Sequence, residues 1–315
     1  MKTMKWLIKR EFWEHKGMVL WAPAVVAGLI ALLTLSGLLL GRNMAFEGSA
    51  GKLSVELGGE ARDTTIAMLA DVYMAFSVPI LIILGFLVFF YCLGALHDDR
   101  RDRSLLFWKS LPVSDRMTVL SKVALALVAI PLVSVLIGIA LSLVITVLLG
   151  VSMAMHGLNI IGPVLSSPSF YLSPLRLLGL LPVYMLWALP TVGWLLLVSS
   201  WARSKVFLWA VGAPLVTAVL IAWANKIFGL GMAPSWFMEN IVSRMLLGVA
   251  PGNWFMHSRI DPNQLVQEGA EHVRNADLFS ASWSTLGTPS LWIGVAAGVA
   301  MIAGAVWLRR WREEG

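Results

Sequence analysis

Long uncharged runs constrain this chain more than any motif does. Apolar stretches at 18–40, 72–96, 119–149, 175–199, 206–227 and 291–308 contain almost no ionisable side chain. At about 1.5 Å of rise per residue, each is long enough to cross most or all of a ~30 Å hydrocarbon core as a helix. In lipid, backbone donors and acceptors have to be satisfied within the segment, which leaves the α-helix as the structure such runs adopt. Only 13% of the residues are charged and 58% are hydrophobic, whereas soluble domains carry roughly 25% charge. The expected fold is all-α: one polytopic transmembrane domain over residues 1–315 with six spans.

An even number of spans puts both termini on one side. The N-terminus, the 97–122 region, the 200–205 loop and the C-terminus together hold sixteen of the 24 Lys and Arg residues. The positive-inside rule therefore places these segments and both termini in the cytoplasm of a cell (inner) membrane. Trp21, Trp201, Trp209 and Trp307 then fall near the inner interface, and Trp223 and Trp292 near the outer one. Lysines precede the first apolar run as they do in a signal peptide. That run is too long for a signal h-region, and no clear small-residue cleavage site ends it, so a retained first span is expected.

Residues 3–17, TMKWLIKREFWEHKG, predict an amphipathic helix lying in the membrane interface. Met4, Leu7, Ile8 and Phe12 form its stripe, flanked by Trp6 and Trp13, with Lys5, Lys9, Arg10, Glu14 and Lys16 opposite. Residues 151–174, with three prolines and no formal charge, read as an apolar outer loop. Residues 228–290 form a long outer segment, in which 235–249 predict a helix at the outer leaflet. Its stripe is Phe237, Ile241, Met245 and Gly248, and Ser235 is a candidate N-cap. Pro79, Pro131, Pro182 and Pro190 are candidate flex points of the spans.

The most charged stretch, LHDDRRDRSLLFWKSLPVSDRMTVLSK at 96–122, lies between the second and third spans. Asp99 and Arg103 are four apart and Asp98 and Arg101 three apart, spacings that pair on a helix. Leu105, Phe107 and Trp108 then bring bulky apolar surface outside the bilayer. Pro112 biases Leu111 away from helix, and Ser114 is placed to cap a new helix entering the third span. Exposed apolar groups on such a loop point to a partner surface, or to anchoring at lipid headgroups.

This stretch resembles the loop between the second and third spans of type-2 ABC-transporter permeases. The resemblance rests on Asp98, Asp99, Arg100, Ser110, Leu111, Pro112, Ser114 and Lys122. It is specific over about thirty residues and extends in layout to the six spans and the interfacial helix. It implies a coupling loop at 97–118 that docks on a separate ABC ATPase subunit. Leu105, Phe107, Trp108 and Leu111 would be the apolar contacts there, beside Pro112. Asp98, Asp99, Arg100, Arg101 and Arg103 would form the polar rim. It further implies a second permease subunit, identical or paralogous, and ATP and Mg bound on the ATPase with no cofactor in this chain. The resulting expectation is an ABC exporter permease, not itself an enzyme, moving an amphipathic or hydrophobic cargo and contacting membrane lipid but no nucleic acid.

Other classes find less in the residues. The spans hold almost none of the intramembrane charges that ion-coupled carriers use. The string GSAGK at 48–52 has the wrong glycine spacing for a phosphate loop, and no H-E-x-x-H or G-x-S-x-G occurs. His15, His97, His156, His257 and His272 show no close ligand spacing, and Cys92 stands alone in an apolar run. An ATP-independent membrane enzyme or assembly factor is the alternative, ahead of a secondary carrier.

Overall fold

A computed structural model describes residues 2–40, 69, 73–101, 114–155, 161–229, 233–258 and 275–311. Among the described residues the regular structure is entirely helical. Six helices are long and apolar enough to cross a membrane: Gly17–Leu39, Tyr73–Arg100, Asp115–Met155, Pro168–Trp201, Leu208–Phe228 and Pro289–Arg310. The chain is a multi-pass membrane protein.

The second, third and fourth spans make the centre. The fourth packs along the sixth and against the second, and the third packs against the first and second. Burial follows this order. Of the most apolar stretch, 61% is buried in the fourth span but only 17% in the first and in the fifth. The outer faces of those two carry Leu29, Leu32, Leu33, Val216, Val219 and Leu220, all exposed. In water such faces would be a liability. In lipid they are the solvent-facing surface, and association relies on close packing of small residues. Gly193 and Gly298 supply it where the fourth and sixth spans meet: a Cβ on Gly193 would lie 2.6 Å from the Gly298 carbonyl oxygen.

Three spans share a local distortion. The turns Gly17–Trp21, Leu125–Ala129 and Leu208–Gly212 are widened π turns, each ending two residues before a proline: Pro23, Pro131 and Pro214. Proline has no N–H to donate, and its ring crowds the carbonyl four residues back. One extra residue in the turn relieves that crowding. The carbonyl freed by Pro214 belongs to Ala210, and it accepts the indole N–H of Trp194 at 2.9 Å. Pro131 thus sits at a distortion, whereas Pro79 and Pro182 begin their helices and Pro190 lies inside Leu181–Trp201.

Two expectations need correction. The stretch 151–174 is largely helical where described: the third span runs to Met155, and helices Ile161–Ser166 and Pro168–Gly179 follow. Pro168 opens its helix as proline favours the first turn. Tyr73 fixes it to the start of the second span, stacking on Phe170 at 4.6 Å and donating to its carbonyl at 2.6 Å. In the outer segment, Pro234 starts the helix after Ala233, which makes no side-chain cap, so Ser235 is not the N-cap. A π turn at Met238–Val242 then rotates the face: of the expected stripe only Gly248 is buried, beside Val242, Arg244 and Val249, while Phe237, Ile241 and Met245 are half-buried.

Candidate functional site: a buried ion network at the charged end

The N-terminal helix Lys2–Glu14 has two faces. Leu7 and Glu11, one turn apart, are buried, while Trp6 and Trp13 are exposed. Lys9 lies over the Trp6 ring at 5.3 Å and Lys16 over Trp13 at 5.5 Å, so the tryptophan face carries its own cations. The helix is thus amphipathic, with one face packed on the bundle and the other carrying paired tryptophans and lysines.

Glu11 is the unexpected member of that helix. Its carboxylate accepts from Lys122 Nζ at 3.1 and 3.2 Å and from the Tyr91 hydroxyl at 3.3 Å. Lys122 also reaches the Asp99 carboxylate at 3.3 Å. Arg309, in the last turn of the sixth span, meets Asp99 Oδ2 and Asp115 Oδ1, each at 3.4 Å. The Lys122 and Glu11 side chains are only 2% and 3% exposed, so water does not screen their pairing. The more exposed Asp115 apart, the formal charges of Glu11, Asp99, Lys122 and Arg309 sum to zero. Such burial costs several kcal/mol per ion and is recovered only by close pairing.

The network holds both ends of the loop between the second and third spans. At the entry, Asp99 and Arg100 lie on the helix His97–Arg101. Arg100 donates to the carbonyls of Ser199 and Ala202 at the end of the fourth span, while the Ser199 hydroxyl accepts from the Leu96 and His97 N–H groups at 3.1 and 3.0 Å. At the exit, the Ser114 side chain caps Asp115–Ala124 by accepting from the Met117 N–H, as its position predicts. Asp115 is then tied to Arg309, and Lys122 to Glu11, on the helix that Ser114 starts. The N-terminal helix and the ends of the second, third, fourth and sixth spans thus meet at one end of the bundle, with both termini there.

Of the residues singled out in the sequence, Asp99, Arg100, Ser114 and Lys122 enter this assembly. Asp98 points outward beside His97, its carboxylate 63% exposed. The Arg101 side chain and Arg103, Leu105, Phe107, Trp108, Leu111 and Pro112 lie outside the described residues. Glu11 and Arg309 were not singled out. The signals were present: Glu11 follows Leu7 by one helical turn, and Lys122 is an ionisable residue inside an apolar run. Among the described residues, no three His, Cys, Asp or Glu side chains group as metal ligands would. With each carboxylate of the network facing a cation, the assembly suits holding elements in register. Comparison of the chain with protein-family models, curated proteins and solved structures finds no match.

Proposed function

We propose that this chain is the membrane subunit of an ABC exporter, with the charged end in the cytoplasm and the loop between the second and third spans docking on a separate ATPase subunit. The observation that carries the reading is the anchoring of that loop. Both of its ends are fixed by buried ion pairs and backbone hydrogen bonds to four spans and the N-terminal helix. A displacement imposed on the loop by ATP-driven closure of a partner would therefore be passed to the bundle rather than lost in a slack connection. The spans lack ion-relay charges at mid-depth, as suits a transporter energised from outside the membrane. A second permease subunit would complete the path for an amphipathic or hydrophobic cargo.

The test is affinity purification of the chain from its native membrane in mild detergent, with mass spectrometry of what accompanies it. A stoichiometric phosphate-loop ATPase is expected, and Phe107→Ala/Trp108→Ala should release it while leaving the monodisperse membrane subunit intact. A folded chain recovered repeatedly without an ATPase, or an ATPase indifferent to the double substitution, would overturn the docking assignment.

A further inference from the structure

Another buried cation lies at the opposite end of the bundle, and it is treated differently from those of the ion network. Arg244, in the helix Ser243–Leu247, is 8% exposed. Its guanidinium lies over the Trp187 ring of the fourth span at 4.8 Å. It donates to the Ser290 hydroxyl at 3.0 Å and to the Leu291 carbonyl at 3.4 Å, at the start of the sixth span. These partners are neutral, and among the described residues no carboxylate pairs with it. Its Nε is buried without an acceptor. An arginine has five N–H donors, so most of this set is unspent.

The seat is built for a guanidinium. Gly294 leaves the space it occupies: a Cβ there would lie 2.5 Å from Cζ and 2.7 Å from Nε. Thr191 fixes the backbone by donating to the Arg244 carbonyl at 2.7 Å. The neighbouring His257, against Trp187 and within reach of Ser243, is held below the ordinary histidine range chiefly by burial, with the Arg244 charge adding. A lone buried charge is costly, and among the described residues no anion offsets this one.

Depth selects the anion. Leu291 and Gly294 lie two and five residues from Pro289, hence about 3 and 8 Å inside the end of the span. Exposed Trp223, Trp236 and Trp292 ring the same end, as tryptophans do at the headgroup level. Leu247 and Ile293, both exposed beside the seat, offer apolar surface to acyl chains. We infer that Arg244, with Ser290, forms a binding site for a phosphate oxyanion presented at this membrane interface, as on a phospholipid headgroup. The site would take its phosphate whether or not an ATPase drives the opposite end.

Native mass spectrometry and thermal unfolding of the full chain in dodecyl maltoside test this. The probes are phosphatidylglycerol, a phosphate-free glucosyl diacylglycerol, and inorganic phosphate. Phosphatidylglycerol should be retained and should raise Tm, and the glycolipid should do neither. Arg244→Met should weaken phosphatidylglycerol retention at least tenfold, with Ser290→Ala and Arg244→Lys intermediate. Competition by inorganic phosphate would identify the headgroup alone as sufficient; its failure would show that the acyl chains are needed. Should Arg244→Met not fold, Ser290→Ala and Arg244→Lys carry the comparison, since both keep the charge. Equal retention by these variants and the parent, or equal retention of the glycolipid, would overturn the site and leave Arg244 a structural staple.

Discussion

Removing the Lys122 ammonium is the most informative single perturbation of the ion network. Lys122→Met keeps the stem and deletes the charge, leaving the Glu11 carboxylate without its ammonium while Asp99 keeps Arg309. At an effective dielectric of about 20, an ion pair at 3.1 Å carries a gross attraction of about 5 kcal/mol. Desolvation of both ions, several kcal/mol each, opposes it, so the intact pair contributes little net. Breaking it is different, because the penalty of the surviving buried carboxylate is then unopposed, at about 3–5 kcal/mol. Glu11→Leu should cost a similar amount by stranding part of the Lys122 charge. The double variant Glu11→Leu/Lys122→Met leaves Asp99 with Arg309 and should cost less than either single change, about 0–2 kcal/mol, or even stabilise. Tryptophan-fluorescence unfolding of the purified chain in one detergent supplies all four corners of the cycle. If the double variant lost the sum of the two single losses, the residues would be energetically independent and the account of a charge-balanced network would be wrong.

Other substitutions probe different contacts. Gly298→Ala would place a Cβ 2.8 Å from the Leu189 carbonyl oxygen and should destabilise by about 1–3 kcal/mol through overpacking, whereas Gly28→Ala, with nothing within 4 Å, should not; paired melting curves decide. Ser199→Ala strips the acceptor from the Leu96 and His97 N–H groups and should cost about 1–3 kcal/mol, with faster hydrogen exchange at those two amides. His257, depressed by burial and by Arg244, is neutral in the fold at a pH where an unfolded imidazole begins to protonate. Stability should therefore be constant above about pH 6.5 and fall as the pH drops through the depressed value. Imidazole resonances in an NMR titration and Tm across pH 4–8 check this, and His257→Gln should flatten the acid limb.

Spans were legible in the sequence because their determinant is local: the cost of charge in lipid acts on each window separately. The Ser114 cap was legible for the same reason, resting on one side chain and the next turn. The charged end was only half legible. The arginines and acids around position 100 were conspicuous, but Glu11 meets Lys122 across 111 positions, and no local pattern encodes that contact. Nothing local sets Glu11 apart, because charge on a helix at an interface ordinarily faces water. Tertiary pairing reversed it. Arg244 was hidden in the same way, since stacking on Trp187 needs the fourth span alongside. The helices at 161–179 were missed because three prolines read as interruption, although Pro168 opens a helix and Pro174 is accommodated within it.

A π turn can migrate along a helix, and the spans of this bundle carry three of them. They occur in the first, third and fifth spans, and Val19, Leu125 to Leu127 and Ala210 from those turns sit in one core cluster. A π turn holds one residue more than an α turn. Expelling that residue, or passing it up the helix, would rotate the segment above by about 100° relative to the segment below and shift it by about 1.5 Å. A screw motion of this kind exchanges which side chains face the centre without breaking the helix into pieces. The prolines set where the thread begins, and in the third span the ion network grips Asp115 and Lys122 just ahead of the Leu125–Ala129 turn. Electron paramagnetic resonance distances from labels placed above and below Leu208–Gly212 would register the rotation as a change in label facing at nearly constant separation.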